Sequence, residues 1–154
     1  MNLSEDFIQQ LQTLMQQVQT LLPAPPPAID WQQSLAFRWR MVGKQGYLEA
    51  INDLSPIRLA DLQGIDRQKN EIFRNTQQFV AHKPANNVLL TGARGTGKSS
   101  LVKALVNEFA TQGLRVIEVD RDLLIDLPDI MQIIAHRPER FIIYCDDLSF
   151  TADD

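Results

Sequence analysis

The stretch GARGTGKSS, beginning at Gly92, limits the folds open to this chain more than any other feature. Gly92, Ala93, Arg94, Gly95, Thr96, Gly97, Lys98 and Ser99 fit the phosphate-loop pattern G-x-x-x-x-G-K-[ST]. Such a loop works between a strand and a helix, and the flanking sequence has that form. Val88-Leu89-Leu90 is a short apolar run suited to a buried strand. Residues 100–112 read as a helix with Leu101, Leu105 and Phe109 on one face and Gly113 as its stop. Glycines let the backbone wrap a phosphate that a Cβ would obstruct, and successive N–H groups and the helix dipole then point at the anion. Lys98 supplies a charge for terminal phosphates, and the Ser99 hydroxyl is placed to ligate Mg²⁺. The candidate phosphate site runs from Gly92 through Ser100.

Bulk properties narrow the partners. A chain of 154 residues holds one domain with a real core, with room for a small appendage. A formal net charge of −4 argues against broad affinity for nucleic acid or anionic membranes. No apolar run reaches the length of a membrane span, and no basic segment followed by an apolar core opens the chain. Cys145 is the single cysteine, so an internal disulfide is excluded and a cytoplasmic location is expected.

Phe7, Leu11, Leu14, Val18 and Leu21 recur at alternating spacings of four and three, which predicts a helix over 4–22 that docks on its own domain or on a partner subunit. Pro23 ends it, and Pro25-Pro26-Pro27 makes a stiff spacer. Asp30 is placed to cap a second helix bearing Trp31, Leu35, Trp39 and Val42. Arg38 and Arg40 flank Trp39, which raises base stacking as an alternative to a core role. The pattern from 43 to 56 is loop-like. Residues 66–80 read as a helix with Ile72, Phe73, Thr76, Phe79 and Val80 on one side. A second strand follows at 114–119. A helix opens at Asp126-Leu127-Pro128 and closes at Pro138, and a third strand spans 141–145. Strands alternating with helices predict an α/β fold with a parallel sheet covered on both faces, preceded by a helical N-terminal region. The division expected is residues 1–58 and 59–154.

The third strand ends in Asp146-Asp147, where a phosphate-loop protein places its second acidic motif. Asp146 is positioned to hold Mg²⁺ through water, and Asp147 to orient or deprotonate an attacking water; a turn-capping role for Asp147 is the alternative. Cys145 reads as structural, since neighbouring carboxylates raise a thiol pKa. His82 and His136 lack metal-ligand companions at suitable spacing. Asp120 follows the second strand as a ribose-binding acid would, but the loop is not G-x-G-x-x-G.

These pieces together resemble a bacterial family of AAA+ ATPases designated domain of unknown function 815. The matching stretches are LQGIDRQK (residues 62–69), NNVLLTGARGTGKSSLVKAL (86–105), LRVIEV (114–119) and FIIYCDDLSF (141–150), with PPPAIDWQQSLAFRWR upstream. The resemblance implies ATP with Mg²⁺ as ligands, Gly64 and Ile65 near the adenine base, homo-oligomerisation, and remodelling of a macromolecular partner. The usual Asp-Glu pair is Asp-Asp here, one methylene shorter at the base. The chain also stops at Asp154, before the polar sensor strand, arginine finger and helical lid that such modules carry. In the AAA+ strand order that later strand lies between the first and third. The expectation is therefore a fragment with an incomplete sheet, two apolar strands facing each other across a gap, and weak or absent turnover by the isolated chain.

The sequence thus points to an AAA+ type ATPase that binds Mg·ATP and hydrolyses it when complete and oligomeric. The alternative is a nucleotide-dependent binding module or switch with negligible hydrolysis, in which phosphate orders the segment after Asp146. A small-molecule kinase is a third possibility, without an arginine-rich lid to support it.

Overall fold

The computed structural model describes residues 5–21, 27–93 and 95–146, with side chains of the first helix described at 7–18. That helix, α1 (Glu5–Leu21), carries the expected stripe. Phe7, Leu11, Leu14 and Val18 are 41–59% exposed, so among the described residues nothing buries this part of the stripe. Pro23, Pro25 and Pro26 lie outside the described residues.

The second helix expected from Trp31 to Val42 does not form. Asp30 does cap a turn, accepting from the Gln32 and Gln33 amides at 3.0 and 3.1 Å, but the turn stops there. The chain instead runs into β1 (Ala36–Val42), turns at Gly43-Lys44, and returns as β2 (Gln45–Ala50), in the stretch expected to be a loop. The physical reason lies in the spacing. Leu35 and Trp39 are four apart, which suits one face of a helix, but in the fold they separate: Leu35 lies just before β1 and packs in one core, while Trp39 is buried in the core on the other face of the sheet. The intervening alternation of Phe37 and Trp39 with Arg38 and Arg40 is the strand signal. Phe37 and Trp39 are buried at 0% and 1% exposure. Arg38 meets Glu118 at 2.7 Å and Arg40 meets Glu49 at 3.0 Å. Base stacking by Trp39 is thereby ruled out: its ring is core, and its indole N–H donates to Asp126 Oδ2 at 3.0 Å.

Later elements follow the sequence reading closely. They are α2 (Asp66–Val80), α3 (Lys98–Phe109), β3 (Leu114–Glu118), α4 (Leu127–Ile134) with Pro128 in its first turn, and β4 (Arg140–Tyr144). The sheet order is β2-β1-β3-β4, with β1 antiparallel to β2 and parallel to β3, and β3 parallel to β4. Strands from either side of residue 58 therefore share one sheet.

Period-two alternation sends side chains to two cores. On one face α2 and α3 bring Ile72, Val80, Leu101, Leu105 and Phe109 against Ala36, Leu114 and Val116, with Ile142 and Tyr144 at the margin. On the other face Phe37, Trp39, Leu48, Ile117, Val119 and Ile130 pack together, joined by Phe141 and Ile143. Coverage of both faces is what a parallel sheet requires.

The strand expected at Val88-Leu89-Leu90 is not present. Residues 84–93 have no strand pairing, and Val88 and Leu89 are 50% and 70% exposed. A strand exists by pairing, and here the Asn75 side chain provides a short substitute. Its Nδ2 donates to Asn86 O and its Oδ1 accepts from Asn86 N, both at 2.8 Å. Between residues 86–90 and β4 lies a cleft of about 430 Å³, walled by Phe141 to Tyr144 on one side and backed by Ile72, Thr76 and Phe79. The expected gap is therefore there, with a strand on one wall and irregular chain on the other.

Gly46 lies so close to the Trp39 indole that a Cβ there would overlap the ring. Gly46→Ala is expected to lower stability by about 1–3 kcal/mol, the range for overpacking. Urea denaturation reads this as an earlier midpoint at unchanged slope; an unmoved midpoint would show that the indole gives way.

Candidate phosphate and metal site

The site is built where α3 begins. Gly95 and Gly97 have φ of 82° and 86°, a left-handed backbone that favours glycine, and a Cβ at either would project into open space. Gly97 is the residue before the first helical turn, so the turn's unpaired amides face the loop. Thr96 Oγ1 donates to Ala93 O at 2.8 Å and closes the loop on itself. The Lys98 ammonium donates to Gly92 O and Ala93 O at 2.9 and 3.0 Å, so the cation is held at the mouth of the loop. Arg94 lies outside the described residues.

The helix end and the sheet end meet through side chains. Ser99 Oγ donates to Asp146 Oδ2 at 2.8 Å, joining groups 47 residues apart in sequence. Tyr144, two residues before Asp146, donates its hydroxyl to Ser99 Oγ at 3.1 Å. A hydroxyl and a carboxylate are hard oxygen donors of the sort Mg²⁺ takes, and that ion completes its shell with water and phosphate. Among the described residues no group of three or more His, Cys, Asp or Glu forms a metal site of another type. Asp147 falls outside the described residues.

Gly64 and Ile65 sit just before α2. Gly64 is exposed, while Ile65 packs at the edge of the core that holds α3. Two residues that the sequence reading did not single out fix this segment. Lys69 Nζ donates to Leu62 O at 2.6 Å and Leu59 O at 3.4 Å. Asn107, on α3, donates to Ser55 O and Ile57 O, both at 2.8 Å. Neither has a local signature, since each grips carbonyls of a segment it meets only in the fold. Tyr144 belongs to no motif either; its signal in the sequence is a phenol on a strand, two residues before the acidic end.

Burial dominates the electrostatics at the strand end. It pushes the Tyr144 phenol up to about 12, opposed by the hydrogen bond with Ser99 and reinforced by the hydrogen bond to and charge of Asp146, so the phenol stays protonated throughout the neutral range. Burial also leads in raising the Cys145 thiol, reinforced by Asp120 and Asp146 and opposed by Arg121. This agrees with a structural cysteine.

A mostly parallel sheet with helices on both faces, a glycine loop leading into a helix, and an acidic residue at a strand end meeting that helix together define an α/β protein of the P-loop, AAA+ class. Residues 32–154 match the family described as "Protein of unknown function (DUF815)", and the chain belongs to that family. Over 74 residues it is 38% identical to the 26S proteasome regulatory subunit 6B homolog of Aspergillus niger, a match covering 42% of this chain and 18% of that protein. The chain thus matches less than a fifth of that relative's length. This similarity supports nucleotide binding of the AAA+ kind in general. No solved structure matches the chain. Among the described residues no helix is long and apolar enough to cross a membrane.

The raised Cys145 pKa means less thiolate at neutral pH. Alkylation by iodoacetamide should therefore follow a rate–pH curve whose midpoint lies above the ordinary value of 9.0 in the folded chain and returns toward it in urea. Coincident curves for folded and unfolded chains would contradict the assignment.

Proposed function

We propose that the chain binds Mg·ATP and, as part of an oligomeric assembly, hydrolyses it to remodel a macromolecular partner. The contact between Ser99 and Asp146 carries this reading, because it sets a metal-type oxygen pair beside the glycine loop and Lys98. In it, residues Gly92 through Ser100 cradle the phosphates through backbone amides, and Lys98 turns from the loop carbonyls to the terminal phosphates. Ser99 and Asp146 would hold the metal, the hydroxyl and the carboxylate supplying hard oxygen groups beside the loop. Asp147 orients the attacking water, and Gly64 and Ile65 border the base. Mg²⁺, when bound, neutralises charge on the phosphate oxygens. The protein's own work is positioning and electrostatic stabilisation, as phosphoryl transfer demands.

A second reading, a switch with negligible hydrolysis, draws on one observation. Lys98 holds the Gly92 and Ala93 carbonyls, so accepting a phosphate means trading those contacts and reshaping the loop. Turnover separates the two readings.

Calorimetric titration of the 154-residue chain with Mg·ATP should show binding that Lys98→Ala abolishes or weakens at least tenfold. Phosphate release that disappears in Asp147→Asn would favour the ATPase; binding without release would favour the switch. Equal heats for the parent and Lys98→Ala would remove the loop from either account.

Asp146→Asn tests the metal role separately. It is expected to retain nucleotide binding in EDTA and to lose most of the gain that magnesium confers. A titration series with and without the ion reads this directly, and an undiminished magnesium effect would exclude Asp146 from the metal site.

A further inference from the structure

We propose that Tyr144 is a positioning residue for the metal site, fixing the Ser99 hydroxyl so that its last lone pair faces the cation of a bound Mg·nucleotide. The inference rests on the Mg·ATP reading above and adds to that site a residue which no motif contains.

A serine hydroxyl has one proton and two lone pairs, and its rotor is free unless neighbours hold it. Ser99 gives its proton to Asp146 Oδ2 at 2.8 Å and accepts from the Tyr144 hydroxyl at 3.1 Å. One lone pair then remains, in a direction set by the other two bonds. With Asp146 alone as partner the hydroxyl has one constraint, and its lone pairs can turn about that bond. Tyr144 supplies the second constraint and does so from a fixed base. It lies on β4, which pairs through its length with β3, and its ring packs at the edge of the core formed by Leu101, Val102 and Leu105 of α3. The phenol therefore bridges the strand that leads to Asp146 and the helix bearing Ser99. Preorganising a ligand in this way strengthens metal binding by removing the cost of ordering it.

The test is calorimetric titration of the parent chain, Tyr144→Phe, Ser99→Ala and the double variant with a non-hydrolysable ATP analogue, each in magnesium and in EDTA. Tyr144→Phe keeps the ring and removes one hydroxyl. It should match the parent in EDTA and lose about fivefold of the affinity that magnesium adds, the scale of one net hydrogen bond. In the Ser99→Ala background the same change should have no further effect. Equal weakening with and without magnesium would reduce Tyr144 to a packing role. A magnesium gain left intact, or an additive loss in the double variant, would overturn the proposal while leaving nucleotide binding standing. Absence of binding by the parent would overturn the Mg·ATP reading itself, and this inference with it.

A second measurement needs no substitution at residue 144. The chain has two tyrosines, Tyr47 and Tyr144, so fluorotyrosine labelling gives two resonances that Tyr47→Phe assigns. Adding magnesium to the nucleotide complex should move the Tyr144 signal in the parent and leave it still in Ser99→Ala. A signal unmoved by magnesium in the parent would overturn the proposal on its own.

Discussion

The seating of α3 on the sheet is the interaction on which the rest of the structure depends. Leu101, Val102, Leu105, Val106 and Phe109 are each at most 7% exposed, and they meet Leu114 and Val116 of β3 and the α2 side chains Ile72 and Val80. At about 1.5–3 kcal/mol for each fully buried large apolar side chain, these five contribute a gross stabilisation as large as the net stability of most domains. The same helix begins at Lys98 and Ser99. The described loop residues before Gly97 are exposed, so the direction of the helix's first amides is inherited from the core beneath it. A change at Leu105 would therefore reach the candidate phosphate site by tilting α3, without touching any loop atom.

The N-terminal hairpin strengthens that platform from the opposite edge. β1 pairs with β3 over Ala36 to Arg38, so β3 is interior even though the run at 88–90 joins no ladder. Arg115 ties this edge down from below. Its guanidinium is 6% exposed and is satisfied mainly by carbonyls: Ala110 and Leu114 at 3.2 and 2.9 Å, with Trp31 and Gln32 at 3.4 Å. A buried charge is costly unless its donors are met, and these carbonyls come from the turn just after α3, from the first residue of β3 and from the turn before β1. One side chain thus fixes the start of the hairpin relative to the helix that carries the site.

Local pattern and tertiary pairing divide what could be read in advance. The phosphate loop, α2, α3, β3, α4 and β4 were legible because each carries its signal within its own residues: caps, proline at a helix start, apolar periodicity. β1 reads as a helix on the four-residue spacing of Leu35 and Trp39, although the two pack in different cores, and the partners of Arg38 and Arg40 emerge only with Glu118 and Glu49 on neighbouring strands. Val88 to Leu90 had strand composition, yet composition does not provide a neighbour, and the described strands leave a cleft there. At the site the same division holds. Lys98, Ser99 and Asp146 belong to motifs, whereas Lys69, Asn107 and Tyr144 act on groups brought to them by the fold.

The loop geometry also bears on how a phosphate would be received. Two charge-assisted hydrogen bonds from Lys98 to Gly92 O and Ala93 O, worth about 1.5–3 kcal/mol each at most, hold the loop closed around its own cation. Their exposure lowers that value, because water competes for both partners. A triphosphate offers the ammonium full negative charges where the loop offers carbonyl dipoles, so the exchange favours the ligand. The loop's other closure, from Thr96 to Ala93, does not involve Lys98. Binding would then require Lys98 to give up both carbonyl contacts, the rearrangement on which the switch reading draws. Gly95 and Gly97 already hold the left-handed backbone that a loop of this kind uses, which lowers the cost of receiving an anion.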